Sequence, residues 1–230
     1  MYKYIVLDFG NVIAVSPTRD WDITPKFLEL IDVNKLNKEK FNQVRKKYKP
    51  ILSEHVVNLE EEYDMFTRYY DGILSEVGYP GYTKEIGEAL AYDRTYNYGK
   101  YELCKNVEEE LKLLKEKYTL IMLTDNWPCV FDYLKAVNLD KYFDKIYVSS
   151  IYGSIKEEGT FFDYPIEDYD IKKGEALFVD DHEVNLDVAR EKGFDVLLMD
   201  RDNKVSDSKY EIIHDLFNLE RKEYEHRKRN

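Results

Sequence analysis

The sequence predicts an α/β fold: a Rossmann-like doubly wound parallel sheet with a small all-helical unit inserted after the first strand. Five short apolar runs are continuous rather than alternating, as is typical of strands buried on both faces. Amphipathic helical stretches lie between most of them, and this alternation indicates a doubly wound sheet. Residues 17–98, by contrast, carry helical periodicity and no convincing strand, which indicates the insert.

The strands of the sheet are predicted at residues 4–8, 119–125, 145–150, 176–181 and 195–200. Between them, "NVEEELKLLKEKY" begins with Asn106 and has Glu109 three residues later, a capping-box pattern for a helix start. The segment "EVNLDVAREKG" ends at Gly193, a residue type that favours the position just after a helix. Both segments are therefore predicted to be helices that flank the sheet.

Three helices are predicted in the insert, over "KEKFNQVRKKYKPIL", "LEEEYDMFTRYYDGILSEVG" and "TKEIGEALAYD". The second has apolar residues at helical spacing, namely Leu59, Tyr63, Phe66, Tyr70, Ile73 and Val77. We therefore expect two units: a core made of residues 1–16 and 99–230, and a helical insert made of residues 17–98.

Charge and composition restrict the classes of partner. The chain has 230 residues and a net charge of −12, which disfavours nucleic acid and anionic membranes as partners. A small phosphorylated metabolite is not excluded, because local Lys and Arg residues can overcome the average field. The two cysteines have no metal-site spacing and are expected to be free thiols. With neither a signal peptide nor a membrane-spanning run, a cytoplasmic location is expected.

Every predicted strand ends in polar residues, listed in chain order as Asp8, Thr124, Asp125, Ser149, Ser150, Asp180, Asp181 and Asp200. A single polar strand end is well explained as a cap for the next helix. Ligands of open parallel sheets, however, bind at the carboxyl ends of the strands. Several carboxylates gathered there would repel one another without a cation. A hard divalent ion with oxygen ligands, most simply Mg²⁺, would relieve that repulsion.

On these residues the chain resembles the haloacid dehalogenase-like (HAD) hydrolase superfamily, in subfamily I, whose helical cap is inserted after the first motif. The family's first motif is a strand that ends in a nucleophilic Asp, matched by Asp8. The second is matched by Thr124 in "LIMLTDN", and the third by Lys156 in "SSIYGSIKEEGTFF". The fourth, an acidic pair before a helix, is matched by Asp180 and Asp181 in "ALFVDDHEVNLDVAREKG".

The resemblance implies a phosphatase acting on a small phosphomonoester such as a sugar phosphate, a nucleotide or an acyl phosphate. Asp8 would attack phosphorus and form an aspartyl-phosphate. Thr124 would donate a hydrogen bond to the phosphoryl group, and Lys156 would place a positive charge beside it. Asn11 and Asp125, which adjoin the first two motifs, are grouped with Thr124 and Lys156 as substrate-binding residues.

The resemblance also implies Mg²⁺ as cofactor, held by Asp8, the backbone carbonyl of Gly10 and Asp181, with Asp180 close by. The insert would act as a cap that excludes water and selects the substrate. Arg19, Arg45, Lys46 and Lys47 are candidates in the insert for binding an anionic part of the substrate, against the simpler interpretation of a solvated face. We expect a monomer or a weak homodimer.

Two features depart from the family pattern. Phosphatases of this family usually have a second Asp two residues after the nucleophile, as general acid and base, and this chain has Gly10 there. Gly10 is expected to permit a tight turn and to keep its carbonyl for the metal, while the proton donor is lost. His182 is a candidate replacement. The usual Pro-Asp-Pro after the third-motif Lys is also absent, since "KEEGTFF" begins at Lys156.

Two other functions remain open at this stage. Gly10 is compatible with a non-catalytic member that binds a phosphorylated ligand. It is also compatible with a metal-free 2-haloacid dehalogenase, because those enzymes lack the second Asp as well. The adjacent Asp180 and Asp181 favour the phosphatase, since a metal-free dehalogenase has no use for two metal-binding carboxylates.

Overall fold

The computed structural model describes residues 2–219 and contains a six-stranded parallel sheet. The strands, in chain order, are β1 (Tyr4–Leu7), β2 (Ala14–Val15), β3 (Glu102–Leu103), β4 (Thr119–Thr124), β5 (Lys145–Val148), β6 (Ala176–Asp180), β7 (Asp195–Met199) and β8 (Ile212–Ile213). The sheet has the order β5-β4-β1-β6-β7-β8, while β2 and β3 form a separate antiparallel pair. With helices between its strands, this is the predicted Rossmann-like α/β fold.

The pairing of the central strands brings the first and fourth motifs together. Strand β1 lies between β4 and β6, and Leu7 pairs with Met122 on one side and Val179 on the other. The next residues along β1 and β6 are Asp8 and Asp180, so their carboxylates reach the same edge of the sheet at the same level. The strand order therefore places the ends of β1, β4 and β6 around one crevice.

The helices in chain order are α1 (Pro25–Leu30), α2 (Lys38–Tyr48), α3 (Leu59–Val77), α4 (Lys84–Tyr96), α5 (Val107–Lys115), α6 (Cys129–Ala136), α7 (Ser149–Tyr152), α8 (Asp163–Tyr169) and α9 (Glu183–Glu191). Short 3₁₀ turns include Lys156–Glu158, which carries the third motif. Two apolar clusters, one built around Leu7 and Leu111 and the other around Val6 and Phe178, bury the side chains of the sheet. No helix within residues 2–219 is long and apolar enough to cross a membrane.

The insert has an apolar cluster of its own, formed by helices α1–α4 and including Phe27, Met65, Phe66, Tyr70 and Leu90. Helix α3 begins at the cap Asn58, whose side chain accepts from Glu61 N, and ends at Gly78 in the left-handed conformation. The predicted division at residues 17 and 98 stays a prediction, as does the extent of the core to residue 230, since residues 220–230 lie outside the described part.

All five predicted strands form, each one or two residues shorter at its carboxyl end than expected. Gly193 follows α9 with φ 97°, as its position predicted. The capping box at Asn106 is wrong: this residue has φ 62°, and its side chain makes no capping hydrogen bond. The short elements β2, β3, β8 and α1 were not predicted, because runs of two to six residues carry too little periodicity.

Candidate active site

A cavity of about 270 Å³ opens at the carboxyl ends of β1, β4 and β6. It is lined by Asp8, Phe9, Gly10, Asn11, Trp21, Asp22, Arg94, Tyr101, Thr124, Asp125, Asn126, Trp127, Lys156, Glu157, Asp181, His182 and Asn185. The predicted site residues Asp8, Gly10, Asn11, Thr124, Asp125, Lys156 and Asp181 are all in this set. Asp180, the remaining one, contacts Lys156. The roles assigned to these residues from the sequence stay predictions.

Lys156 connects the first and fourth motifs. Its ammonium lies 2.8 Å from Asp8 Oδ1 and 2.6 Å from Asp180 Oδ2, and its side chain is only 2% exposed. Burial lowers the pKa of Lys156, but the charges of Asp180 and Asp8 outweigh this effect and raise it overall. The amine therefore stays protonated at neutral pH and supplies a fixed positive charge in the site.

Asp180 is fixed by several donors. Its Oδ1 accepts from the backbone N–H of His182 at 2.7 Å, and its Oδ2 accepts from Asn185 Nδ2 at 3.0 Å in addition to Lys156. Asp181 has fewer partners, with Oδ2 accepting from Asn11 Nδ2 at 2.8 Å. Asp180 thus orients Lys156 and the start of α9, while the other oxygen of Asp181 has no donor among the described residues.

Three carboxylates come close enough to hold a cation. One oxygen each from Asp8, Asp180 and Asp181 lies within 4.8 Å of the others. Burial raises the pKa of Asp8 to about 8, with Lys156 opposing the increase and the charges of Asp180 and Asp181 adding to it. With Asp8 ionised, three carboxylates beside one ammonium would leave two negative charges uncompensated, which a hard divalent cation with a preference for oxygen ligands would balance.

The second-motif residues form the opposite wall. Thr124 is the last residue of β4 and is buried at the cavity, while Asp125 follows it at the exposed rim. Asp125 Oδ1 accepts from the backbone N–H of Lys156 at 3.2 Å. This hydrogen bond holds the third-motif turn against the end of β4, although the turn lacks the family's Pro-Asp-Pro.

Gly10 is not required by the backbone, which corrects the sequence-based expectation of a glycine turn. The left-handed residue of the loop is Asn11, with φ 52°, whereas Gly10 is not among the residues with positive φ. A Cβ at position 10 would lie 3.6 Å from Asp8 Oδ2 and 3.6 Å from the Trp21 ring, both ordinary van der Waals distances. A side chain at position 10 is therefore sterically acceptable and would begin beside Asp8.

His182 lies at the rim of the cavity. Its side chain is 68% exposed, and its Nε2 is 3.6 Å from Asp181 Oδ2. It is thus close to the fourth motif and open to solvent, as a group that exchanges protons with water must be.

The insert contributes different charged residues from those predicted. Arg45 is paired with Asp20 and Asp22, at 2.9 and 2.5 Å. Arg19 is paired with Asp202 and Lys47 with Glu76. None of these three, nor the exposed Lys46, lines the cavity. The prediction that they reach a bound substrate is therefore not supported by their positions.

Arg94 on α4 is the insert's cation at the cavity, and the sequence reading missed it. It is 4% exposed, and its Nη1 donates to the carbonyl of Trp21 at 2.6 Å. A signal was present in the sequence: Arg94 follows the buried Gly87, Leu90 and Ala91 at helical spacing, so it lies on the apolar face of α4. A charged residue at such a position is expected to be buried, and charged residues are rarely buried unless they are paired.

The family model for haloacid dehalogenase-like hydrolases matches residues 28–199, which is more than half of the chain. The chain belongs to the haloacid dehalogenase-like hydrolases. Its fold and the order of its four motifs agree with this membership, so the protein is a hydrolase by family.

Individual members of the family differ in activity. A D-ribitol-5-phosphate phosphatase from Bacteroides thetaiotaomicron is 30% identical over 89 residues, which are 36% of this chain and 43% of that protein. This chain therefore matches less than half the length of that relative.

Two solved structures of haloacid dehalogenase-like proteins cover nearly the whole chain. The HAD-hydrolase YfnB from Bacillus subtilis, determined bound to magnesium, has a TM-score of 0.68 at 16% identity and covers 96% of this chain and 97% of its own. A 2-haloacid dehalogenase from Pseudomonas syringae has a TM-score of 0.67 at 18% identity, with the same coverage. At these identities the likeness establishes the fold and leaves the reaction to the residues of the site.

Proposed function

We propose that this hydrolase is a Mg²⁺-dependent phosphatase that acts on a small phosphomonoester through an aspartyl-phosphate on Asp8. The observation that carries the proposal is the cluster of Asp8, Asp180 and Asp181, whose oxygens lie within 4.8 Å of one another beside the buried Lys156. A carboxylate nucleophile is useful for phosphoryl transfer only where positive charge offsets that of the phosphate.

The donor chemistry of the cluster fits Mg²⁺, which prefers carboxylate and carbonyl oxygens. Asp8, the Gly10 carbonyl and Asp181 would hold the ion directly, and Asp180 would support them, because both of its oxygens already accept hydrogen bonds. A bound Mg²⁺ would neutralise negative charge on the phosphoryl group and on the carboxylates around it.

The residues of the chain would divide the work as follows. Asp8 attacks phosphorus as the leaving-group oxygen departs, and water later hydrolyses the acyl phosphate formed on Asp8. Lys156 holds the carboxylate of Asp8 in position and stabilises phosphoryl charge. The Thr124 hydroxyl, at the end of β4, donates to a phosphoryl oxygen, while Asn11 orients Asp181. The insert, as a cap, excludes water through the aromatic ring of Trp21, together with Trp127 from the core unit.

Leaving-group protonation is the weak step in this scheme. No carboxylate follows Asp8 at position 10, so the departing oxygen would leave with little help unless His182 supplies a proton. We therefore expect acyl phosphates, aryl phosphates and anomeric sugar phosphates to be hydrolysed faster than simple alkyl esters. The phosphatase activity named for the relative that matches part of the chain supports the reaction class.

A screen of phosphate release tests the proposal. Sugar phosphates, nucleotides, acyl phosphates and p-nitrophenyl phosphate are offered with Mg²⁺ and with EDTA, to the wild type and to Asp8→Asn. We expect release that depends on Mg²⁺ and falls at least about 10³-fold in Asp8→Asn.

Two outcomes would favour the other functions. If phosphorylated compounds bind in calorimetry but none is turned over, the protein is a non-catalytic phosphate-binding member. The absence of an acid at Gly10 is compatible with that function. Halide release from a 2-haloacid, undiminished by EDTA, would favour the metal-free dehalogenase.

A further inference from the structure

The strongest unexplained feature of the cavity is the charge of Arg94. Its guanidinium is buried, yet no carboxylate within residues 2–219 lies within ion-pair distance of it. Its protein partners are a backbone carbonyl and two aromatic faces, with Cζ 5.1 Å from the ring centre of Phe66 and 5.5 Å from that of Trp127. The charges of Asp22 and Glu62 act on Arg94 from beyond ion-pair distance. A buried cation without a directly paired anion is costly, which makes this arrangement unusual for a purely structural Arg.

A second polar group at the same wall also lacks a partner. Trp127 lines the cavity beside Arg94, and its buried Nε1 makes no hydrogen bond within the described part of the chain. Buried indole N–H groups usually find an acceptor. Arg94 carries unused N–H donors at the cavity, and the Trp127 N–H is a further buried donor without a partner beside it. Neither side chain has an acceptor, so the pair suits an anionic oxygen group.

We propose that Arg94, assisted by Trp127, is the specificity-determining residue of the site and binds a carboxylate of the substrate, so that the substrate is a phosphorylated small carboxylic acid. This inference rests on the proposed phosphatase function, since it assigns the far end of the same substrate. Asp8 and Lys156 belong to the core and Arg94 to the insert, and all three line the same cavity of about 270 Å³, so a small molecule that fills it would reach both sides.

A carboxylate suits this wall better than a second phosphate. The planar guanidinium matches a carboxylate in a two-point hydrogen bond, and one guanidinium balances one negative charge. The cavity already includes Asp22 and Asp125 in addition to Asp8 and Asp181. A further dianionic group in these surroundings would meet more repulsion than a singly charged one.

The test compares substrates that differ only in the group at the far end. Glycerol 3-phosphate is paired with 3-phosphoglycerate, and D-ribitol 5-phosphate with 5-phospho-D-ribonate, so that each pair replaces a hydroxymethyl group by a carboxylate at one chain length. Dissociation constants are measured by calorimetry with Mg²⁺ on the Asp8→Asn background, where turnover does not interfere. We expect the carboxylate member of at least one pair to bind about 10- to 100-fold more tightly.

Three further variants on this background assign the preference to Arg94. Arg94→Gln removes the charge but keeps a donor for the Trp21 carbonyl, and it should abolish the preference. Arg94→Lys keeps the charge without the planar fork and should retain part of it. The exposed Arg68, on α3 and paired with Glu54, provides the matched control: Arg68→Gln should bind like the parent protein.

The inference is overturned if both members of each pair bind equally or not at all, or if Arg94→Gln keeps the preference. Should Arg94→Gln fail to fold, the parent protein and Arg94→Lys still decide, because an absent preference in the parent is sufficient to reject the inference. Phosphate release by the wild type is measured separately. A carboxylate preference without phosphate release would reject the phosphatase activity and support the binding role of Arg94. Phosphate release without the preference would support the phosphatase activity and reject the role of Arg94.

Discussion

Lys156 Nζ lies 2.8 Å from Asp8 Oδ1, and both side chains are buried. The same ammonium contacts Asp180 at 2.6 Å, so the third-motif side chain is paired with both the first and the fourth motif. The backbone N–H of Lys156 donates to Asp125, which adjoins the second motif. These contacts bring the third motif, the least typical in sequence, to the middle of the site.

The first prediction concerns this ion pair. Lys156→Met should lower the free energy of unfolding by about 3 kcal/mol, because two carboxylates lose their buried partner. It should also lower turnover, since the pKa of Asp8 rises further without the nearby ammonium. Lys192→Met, which breaks the partly exposed pair with Asp163, is the control and should cost less than about 1 kcal/mol. Urea denaturation measures the free energy of unfolding of both variants. Equal losses would show that the buried Lys156 pair stabilises the protein no more than the partly exposed Lys192 pair does.

The raised pKa of Asp8 predicts a pH dependence of stability. The pKa of Asp8 is about 8 in the folded protein, above the usual 3.8, so folding favours the protonated carboxyl. Stability from this group is complete below the unfolded pKa and is lost as the pH rises through the folded pKa. In EDTA, the melting temperature should therefore fall between about pH 5 and about pH 8, where most other carboxylates are already ionised, and level off above the folded pKa.

Two controls make this pH effect specific. In Asp8→Asn the melting temperature should stay nearly constant over the same pH interval, because the titrating group is gone. Saturating Mg²⁺ should also keep it nearly constant in the wild type, since a bound cation favours the ionised carboxyl. A melting temperature that falls equally in Asp8→Asn would assign the effect to other groups.

The sheet could be predicted from the sequence because its strands are buried on both faces. Runs such as Leu120–Leu123 and Leu177–Val179 are short, continuous and apolar, which is typical of a buried strand, and each is followed by polar residues. Elements held by tertiary contacts were not visible. The two-residue strands β2 and β3 pair only because the chain returns from the insert beside its starting point, and no local pattern encodes that return.

The site was predictable to the extent that it depends on strand ends. Asp8 and Asp180 follow from the strand pattern, and the parallel register brings them together. The partners supplied by the insert could not be predicted in this way. Arg45 on α2 was a candidate for binding the substrate, but it is paired with Asp20 and Asp22. These partners lie before α1, so their contact with Arg45 depends on tertiary structure and could not be seen in the sequence. Arg94 was missed because its neighbours in the sequence look like those of any amphipathic helix.

The acidic pair predicts unequal effects on metal binding. Within residues 2–219, one oxygen of Asp181 accepts no hydrogen bond, whereas both oxygens of Asp180 have donors. Asp181→Asn should therefore weaken Mg²⁺ binding by about 10- to 100-fold, because it removes the negative charge of a proposed direct ligand. Asn11→Ala should weaken it less, because it removes only the donor that orients Asp181. Calorimetric titration with Mg²⁺ measures both effects without turnover, and the reverse order would mean that Asp181 is not a ligand.

The last prediction concerns Gly10 and the leaving group. General acid catalysis is typically worth about 10²–10⁴-fold, and the loss is smallest when the leaving group is already stable as an anion. A Cβ at position 10 meets only ordinary contacts with Asp8 and Trp21, so Gly10→Asp should fold and place a carboxyl beside the nucleophile. We expect it to raise turnover of alkyl phosphates by about 10²-fold and that of p-nitrophenyl phosphate much less.

The comparison between substrates separates acid catalysis from a general effect of the substitution. Gly10→Asn has nearly the same shape as Gly10→Asp but transfers no proton, so it should leave alkyl phosphates as poor substrates. If Gly10→Asp raises the turnover of both substrates equally, or if the wild type already hydrolyses alkyl phosphates rapidly, another residue is the general acid. His182, at the rim of the cavity and 3.6 Å from Asp181, is then the residue to replace. A fall confined to alkyl phosphates in His182→Ala would identify it as the proton donor, because only those leaving groups depend on one.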